Sequence, residues 1–94
     1  MNDKEREVLL ITSEECSEVT QAISKCFRFG MDQVKPQKPK TNREHLAEEL
    51  GDLQAMINLC VELNIVNQTD IDAAAVNKIN KLHTWSNIFK ENNE

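Results

Sequence analysis

Two pairs of carboxylates stand where a helical chain wants apolar side chains, and they restrict its folding more than any other feature of the 94 residues. Glu15 and Glu18 form one pair, Glu49 and Asp52 the other. A spacing of three puts both members on one face of a helix, with Cβ atoms about 6 Å apart. Around the first pair a seam at intervals of three and four reads Val8, Ile11, Glu15, Glu18, Ala22, Cys26, Phe29. Around the second, one apolar stripe reads Leu46, Leu50, Leu53, Ile57, Cys60, Val61, and its neighbour reads Glu49, Asp52, Met56, Leu59, Leu63. Both have the period of an amphipathic helix. The carboxylates therefore interrupt surfaces that must be buried for the chain to fold.

The rest of the chain follows that period. Gly and Pro are scarce and no apolar run alternates at period two, so the chain reads as all-α, one domain over residues 1–94. Three helices are predicted, at about 3–29, 42–66 and 70–90. Asn2 with Glu5, and Thr41 with Glu44, have the spacing of capping boxes. Thr69 with Asp72 is a weaker version of the same pattern. Gly30 supplies a stop for the first helix. Between the first two helices, residues 31–41 form a loop, because Pro36 and Pro39 oppose helix at and before their positions. With Arg28 and Arg43 on its flanks, this Lys/Pro stretch has two readings: a solvated linker, or a basic arm beside a polyanionic ligand. Residues 91–94 read as a frayed polar tail.

Helix two is apolar over more than half its circumference, so it is buried on two sides. Three helices of this size leave part of it uncovered. The expected architecture is a helical bundle whose four-helix-type site is completed by self-association, as a homodimer or a dimer of dimers. The third helix has its own intruder: its seam reads Ile71, Ala75, Lys78, Leu82, Trp85, Phe89, with Lys81 one turn on from Lys78.

Several functions are disfavoured. A net charge of -5 leaves no basic footprint for duplex nucleic acid. The apolar stretch at residues 53–66 is broken by Asn58, Glu62 and Asn64, so no membrane span is expected. Cys16, Cys26 and Cys60 lack the Cys-x-x-Cys spacing of a zinc site and read as reduced core thiols. Together with the lack of a secretory pattern, they suit a cytoplasmic protein.

Carboxylates buried together are costly. Two of them 6 Å apart repel by roughly 3 kcal/mol at an effective dielectric near 20. Lys78 and Lys81 are too few to neutralise Glu14, Glu15, Glu18, Glu48, Glu49 and Asp52. A hard divalent cation with oxygen ligands, Mg²⁺ or Mn²⁺, is the natural remedy. Di-iron bundles need Glu-x-x-His, and neither His45 nor His83 has a Glu three residues before it. His45 is expected in the first turn of helix two and His83 on a solvent face. A divalent cluster edged by lysines is the chemistry of a phosphate site, where the metal supplies charge neutralisation and activation of water.

Glu14-Glu15-Cys16-Ser17-Glu18 followed by Glu48-Glu49-Leu50-Gly51-Asp52-Leu53 resembles the two-part signature of the all-α, MazG-like nucleoside triphosphate pyrophosphohydrolases. The residues at 24–30, at 42–46, and Lys78-x-x-Lys81-Leu82 with Trp85 resemble the small members of phages and bacteria. The resemblance implies Mg²⁺-dependent conversion of a nucleoside triphosphate to the monophosphate and pyrophosphate, in nucleotide-pool control, by a bundle built from two subunits. It implies Glu15, Glu18, Glu49 and Asp52 as metal ligands. Glu14 and Glu48 would support the ligands or position water, and Lys78 and Lys81 would contact phosphates. Arg28 and the basic arm would close over the substrate. Trp85 either stacks on the base or packs in the seam. The rival expectation is a non-catalytic bundle that binds nucleotide or a partner helix as a regulator.

Overall fold

A computed structural model describes residues 1–35 and 37–91. Its order is α1 (Asp3–Phe29), β1 (Val34–Lys35), β2 (Lys38–Thr41), α2 (Asn42–Glu62) and α3 (Gln68–Trp85). The chain is all-α apart from one short two-stranded ribbon. Among the described residues, no helix is long and apolar enough to cross a membrane. Residues 92–94 of the expected frayed tail lie outside the described residues.

Two capping boxes start the first two helices as their residue types require. The Asn2 side chain accepts from the Glu5 amide while Glu5 accepts from the Asn2 amide, and Thr41 and Glu44 repeat the exchange. Each box satisfies amides that a helix start leaves without partners. α1 stops at Gly30, whose φ of 94° is favourable for a residue without Cβ. α2 then returns antiparallel along α1. The turn is held by the buried Asn42, whose Nδ2 donates to Gly30 O at 2.8 Å, and by the Arg43 amide, which donates to Met31 O at 2.8 Å. Further along the hairpin, Thr12 Oγ1 meets Cys60 Sγ at 3.8 Å.

Four local differences from the sequence expectation have physical causes. The Lys/Pro stretch is a ribbon, not an open loop: β1 pairs antiparallel with β2, with Lys35 opposite Lys38. α2 ends at Glu62, four residues early. Asn64 adopts φ 60°, and the Ile65 and Asn64 amides donate to Cys60 O and Val61 O, closing a Schellman motif. Ile65 and Val66 lie beyond that cap. α3 starts behind Asn67, which caps the Thr69 amide, and Asp72 accepts from Gln68 Nε2 instead of completing a box. It ends at Trp85, because extended Ser86 turns its hydroxyl back onto Leu82 O.

Packing is uneven. Val8, Ala22 and Cys60 are buried in or beside the α1–α2 seam, and Ala22 is fully buried. Cys16 is exposed and Cys26 half-buried, so only one of the three thiols is a core residue. α3 has no buried residue. Of its expected seam, Ala75, Lys78 and Trp85 are exposed, and Ile71 and Leu82 are only half-buried. Phe89, beyond the helix, stacks on the exposed His83 at 4.1 Å. The chain is flat, 47 × 41 × 14 Å, with a radius of gyration of 16.7 Å. A compact domain of this length has about 12–13 Å.

Candidate metal centre

The α1–α2 seam contains the acids. Facing residues on α1 are Val8, Ile11, Thr12, Glu15, Val19, Ala22 and Cys26, all buried or half-buried. Glu15 therefore sits between apolar neighbours on the packed face. Glu18 does not: it is exposed, and Val19 takes the seam position expected for it. The cause is helical pitch. With 3.6 residues per turn, Val19 lies about 40° to one side of Glu15 and Glu18 about 60° to the other. The straight helix favours the closer residue. Phe29 is likewise outside the seam, exposed, with Arg28 4.8 Å above its ring.

Across the seam, α2 presents Glu49 and Asp52. One carboxylate oxygen each from Glu15, Glu49 and Asp52 lie within 4.8 Å of one another. Glu15 and Glu49 are half-buried and Asp52 is exposed, so the group opens to solvent on one side. Burial pushes the Glu15 carboxyl above the ordinary glutamate range, and Asp52, Glu49, Glu18 and Glu14 push it further, in that order. Negative charge is thus concentrated at Glu15, and none of the described residues forms an ion pair with it. Three hard oxygen donors in reach of one point fit a hard divalent cation.

The other predicted residues distribute differently. Glu14 is exposed and acts on Glu15 only through its charge. Glu48 points to the ribbon, where Lys40 Nζ grips both its oxygens at 2.6 and 2.7 Å. Lys78 and Lys81 are exposed on α3 and pair with no carboxylate among the described residues. Arg28 is exposed at the end of α1. Trp85 is 82% exposed, so within the single chain it packs in no seam.

One neighbour of the acids escaped the sequence reading. His45 Nε2 lies 3.3 Å from Glu49 Oε1, and both side chains are largely shielded. The signal was present: His45 and Glu49 are four apart on one helix, a facing pair. The Glu-x-x-His pattern of di-iron bundles does not contain the His-x-x-x-Glu spacing. A hollow of about 780 Å³ is lined by Val61, Asn64, Ile65, Val66 and the start of α3. It begins about 13 Å further along α2 and gathers no set of acids or bases.

Residues 3–87 match the family model of the MazG nucleotide pyrophosphohydrolase domain. No curated protein and no solved structure matches the chain at a significant level.

Proposed function

The chain belongs to the MazG nucleotide pyrophosphohydrolase family, and from that premise we propose a divalent-cation-dependent hydrolase of nucleoside triphosphates, ribose or deoxyribose. Water attacks the α phosphorus, the bond from that phosphorus to the bridging oxygen breaks, and pyrophosphate leaves the monophosphate behind. The observation that carries the reading is the convergence of Glu15, Glu49 and Asp52 from two helices to within 4.8 Å.

In this reading Glu15, Glu49 and Asp52 hold the cation, Mg²⁺ or Mn²⁺, and Glu18 reaches in from the rim. The bound cation supplies neutralisation of phosphate charge and an acidified water. His45 orients the Glu49 carboxylate, as a neighbour of a metal ligand commonly does. Glu14 adds to the field that draws the cation. The α1–α2 packing keeps the donors in place, so little reorganisation is needed when substrate arrives. The protein works on nucleotide pools in the cytoplasm, that of the host where a phage encodes it.

The same reading includes a second copy of the chain. A compact 10.8 kDa monomer exposes about 5500 Å², whereas this chain exposes 7453 Å². Leu50, Val76, Ile79 and Trp85 are among the apolar side chains left in water. Association as a homodimer or dimer of dimers covers them. It also gives Lys78, Lys81 and Trp85 a route to a neighbouring acid cluster, where the lysines meet phosphate and Trp85 the base. Arg28 flanks the same substrate from α1.

The test is a panel of NTPs and dNTPs with Mg²⁺, read by release of pyrophosphate. At least one nucleotide is turned over, and Glu49→Ala abolishes the release. No pyrophosphate from any nucleotide, or undiminished release by Glu49→Ala, overturns the reading. Nucleotide binding without turnover points instead to a regulatory bundle.

A further inference from the structure

We propose that a small cleft beside the acid cluster is an anion subsite, built for a terminal phosphoryl group of the nucleotide's polyphosphate chain. It rests on the reading of the chain as a nucleotide hydrolase. The cleft is lined by Lys25 of α1, Lys38 and Lys40 of β2, and Thr41, Asn42 and His45 of α2.

Three elements bring cations to this place. In a strand, residues two apart share a face, so Lys38 and Lys40 point the same way while Pro39 points the other. The ribbon thus aims both lysines at α2, and Lys25 meets them from α1. Lys40 is already neutralised by Glu48. Lys25 and Lys38 have no ion-pair partner among the described residues. An anion in the cleft would meet two cationic side chains that no carboxylate among the described residues pairs.

The cleft shares a wall with the acids. His45 lines it, and the same imidazole lies 3.3 Å from Glu49 Oε1 of the acid trio. A basic cleft and an acidic one are therefore separated by one side chain. A metal-bound polyphosphate has the complementary layout: cation at one phosphate, uncompensated oxygens at the next. The free volume is about 20 Å³, room for about one water-sized atom such as a single phosphoryl oxygen, and too little for a base. The cleft therefore takes the end of the ligand and not its nucleoside. On this proposal the Lys/Pro stretch contributes Lys38 to a binding surface.

The experiment uses the full chain with Mg²⁺ and inorganic pyrophosphate as the probe, titrated calorimetrically. Lys25→Gln combined with Lys38→Gln weakens pyrophosphate binding about 10-fold or more, since each removes a charge-assisted contact. The same pair raises KM for the nucleotide by a similar factor and leaves kcat within about 3-fold. Mn²⁺ binding without pyrophosphate, read by electron paramagnetic resonance, does not weaken. Lys25→Arg restores binding, and Lys4→Gln, at the far end of α1, changes none of these. Unchanged pyrophosphate affinity and KM in the folded double variant overturns the subsite while nucleotide turnover by wild type still stands. Loss of pyrophosphate binding in the double variant, with no turnover by wild type, keeps the subsite and removes the hydrolase reading. Absence of pyrophosphate binding to wild type overturns the subsite outright.

Discussion

The α1–α2 hairpin and α3 are built from similar material and end in different states. Each has apolar residues at helical spacing, each has a capped start, and each places charge on an apolar seam. The hairpin buries Val8, Ala22 and Cys60 and holds three carboxylates together. α3 buries nothing. The difference lies in the connections. The turn from α1 to α2 is locked by Asn42 to Gly30, Arg43 to Met31 and a paired ribbon, so the second helix must lie back along the first. The turn from α2 to α3 is a Schellman cap that directs Ile65 and Val66 away from the helix without bringing α3 back. Periodicity makes a helix; the geometry of the turn decides what it packs against.

That contrast can be broken at four levels. The largest effect is on the site. His45→Ala raises the Mg²⁺ concentration needed for half-maximal binding by about 10–100-fold, the usual cost of losing a partner of a metal ligand. His83→Ala on α3 leaves it unchanged, and calorimetry on both variants is the check. Equal losses show that α3 lies against the acids in solution.

Packing comes next. Ala22→Leu forces a larger side chain into a fully buried position and costs about 1–3 kcal/mol in urea unfolding. Ala73→Leu on exposed α3 stays within about 0.5 kcal/mol. If Ala73→Leu proves as costly, α3 is packed where the single chain leaves it free.

The caps are smaller still. Thr41→Ala removes the α2 cap and costs about 1 kcal/mol of global stability. Asn67→Ala removes the α3 cap, and its effect shows as faster amide exchange within α3 with little shift of the unfolding midpoint. Coupled loss of both helices in Asn67→Ala shows that association of chains packs α3.

The finest distinction is in pH, measured as Tm in EDTA. Glu15 has a raised folded pKa, so its contribution to stability is fully present below the unfolded value and lost as pH rises through the folded one. Glu44 is held low by the Thr41 amide and then the Thr41 hydroxyl, with Lys40 assisting. Its contribution is present above the unfolded value and lost as pH falls through the folded one. Glu15→Gln should flatten the first trend and Glu44→Gln the second. A Tm profile unchanged by Glu15→Gln removes the charge concentration from the account of the site.

Legibility followed the range of the interaction. Both capping boxes and the Gly30 stop were readable because each involves residues at most a few positions apart. The acid pairs were readable as seam intruders, but which member faces inward was not. Glu18 is displaced by Val19 over a difference of some 20° in helical phase, which alternate spacings of three and four do not resolve. The ribbon was missed because Pro36 and Pro39 argue against helix without specifying the pairing that replaces it. Apolar Ile65 and Val66 extend the periodic pattern in the sequence, while the left-handed Asn64 ends the helix.

By itself, the sequence determined the three helices, the capped starts of the first two, and the acidic and basic residues available to a nucleotide site, because propensity, capping and period act over one or two turns. Only the tertiary structure decided that Glu15, Glu49 and Asp52 meet, that Glu48 belongs to Lys40 and His45 to Glu49, and that α3 stands clear with its lysines. Those outcomes depend on how two helices are rotated and joined. Small differences in phase and in turn geometry select among side chains that are equivalent along the chain.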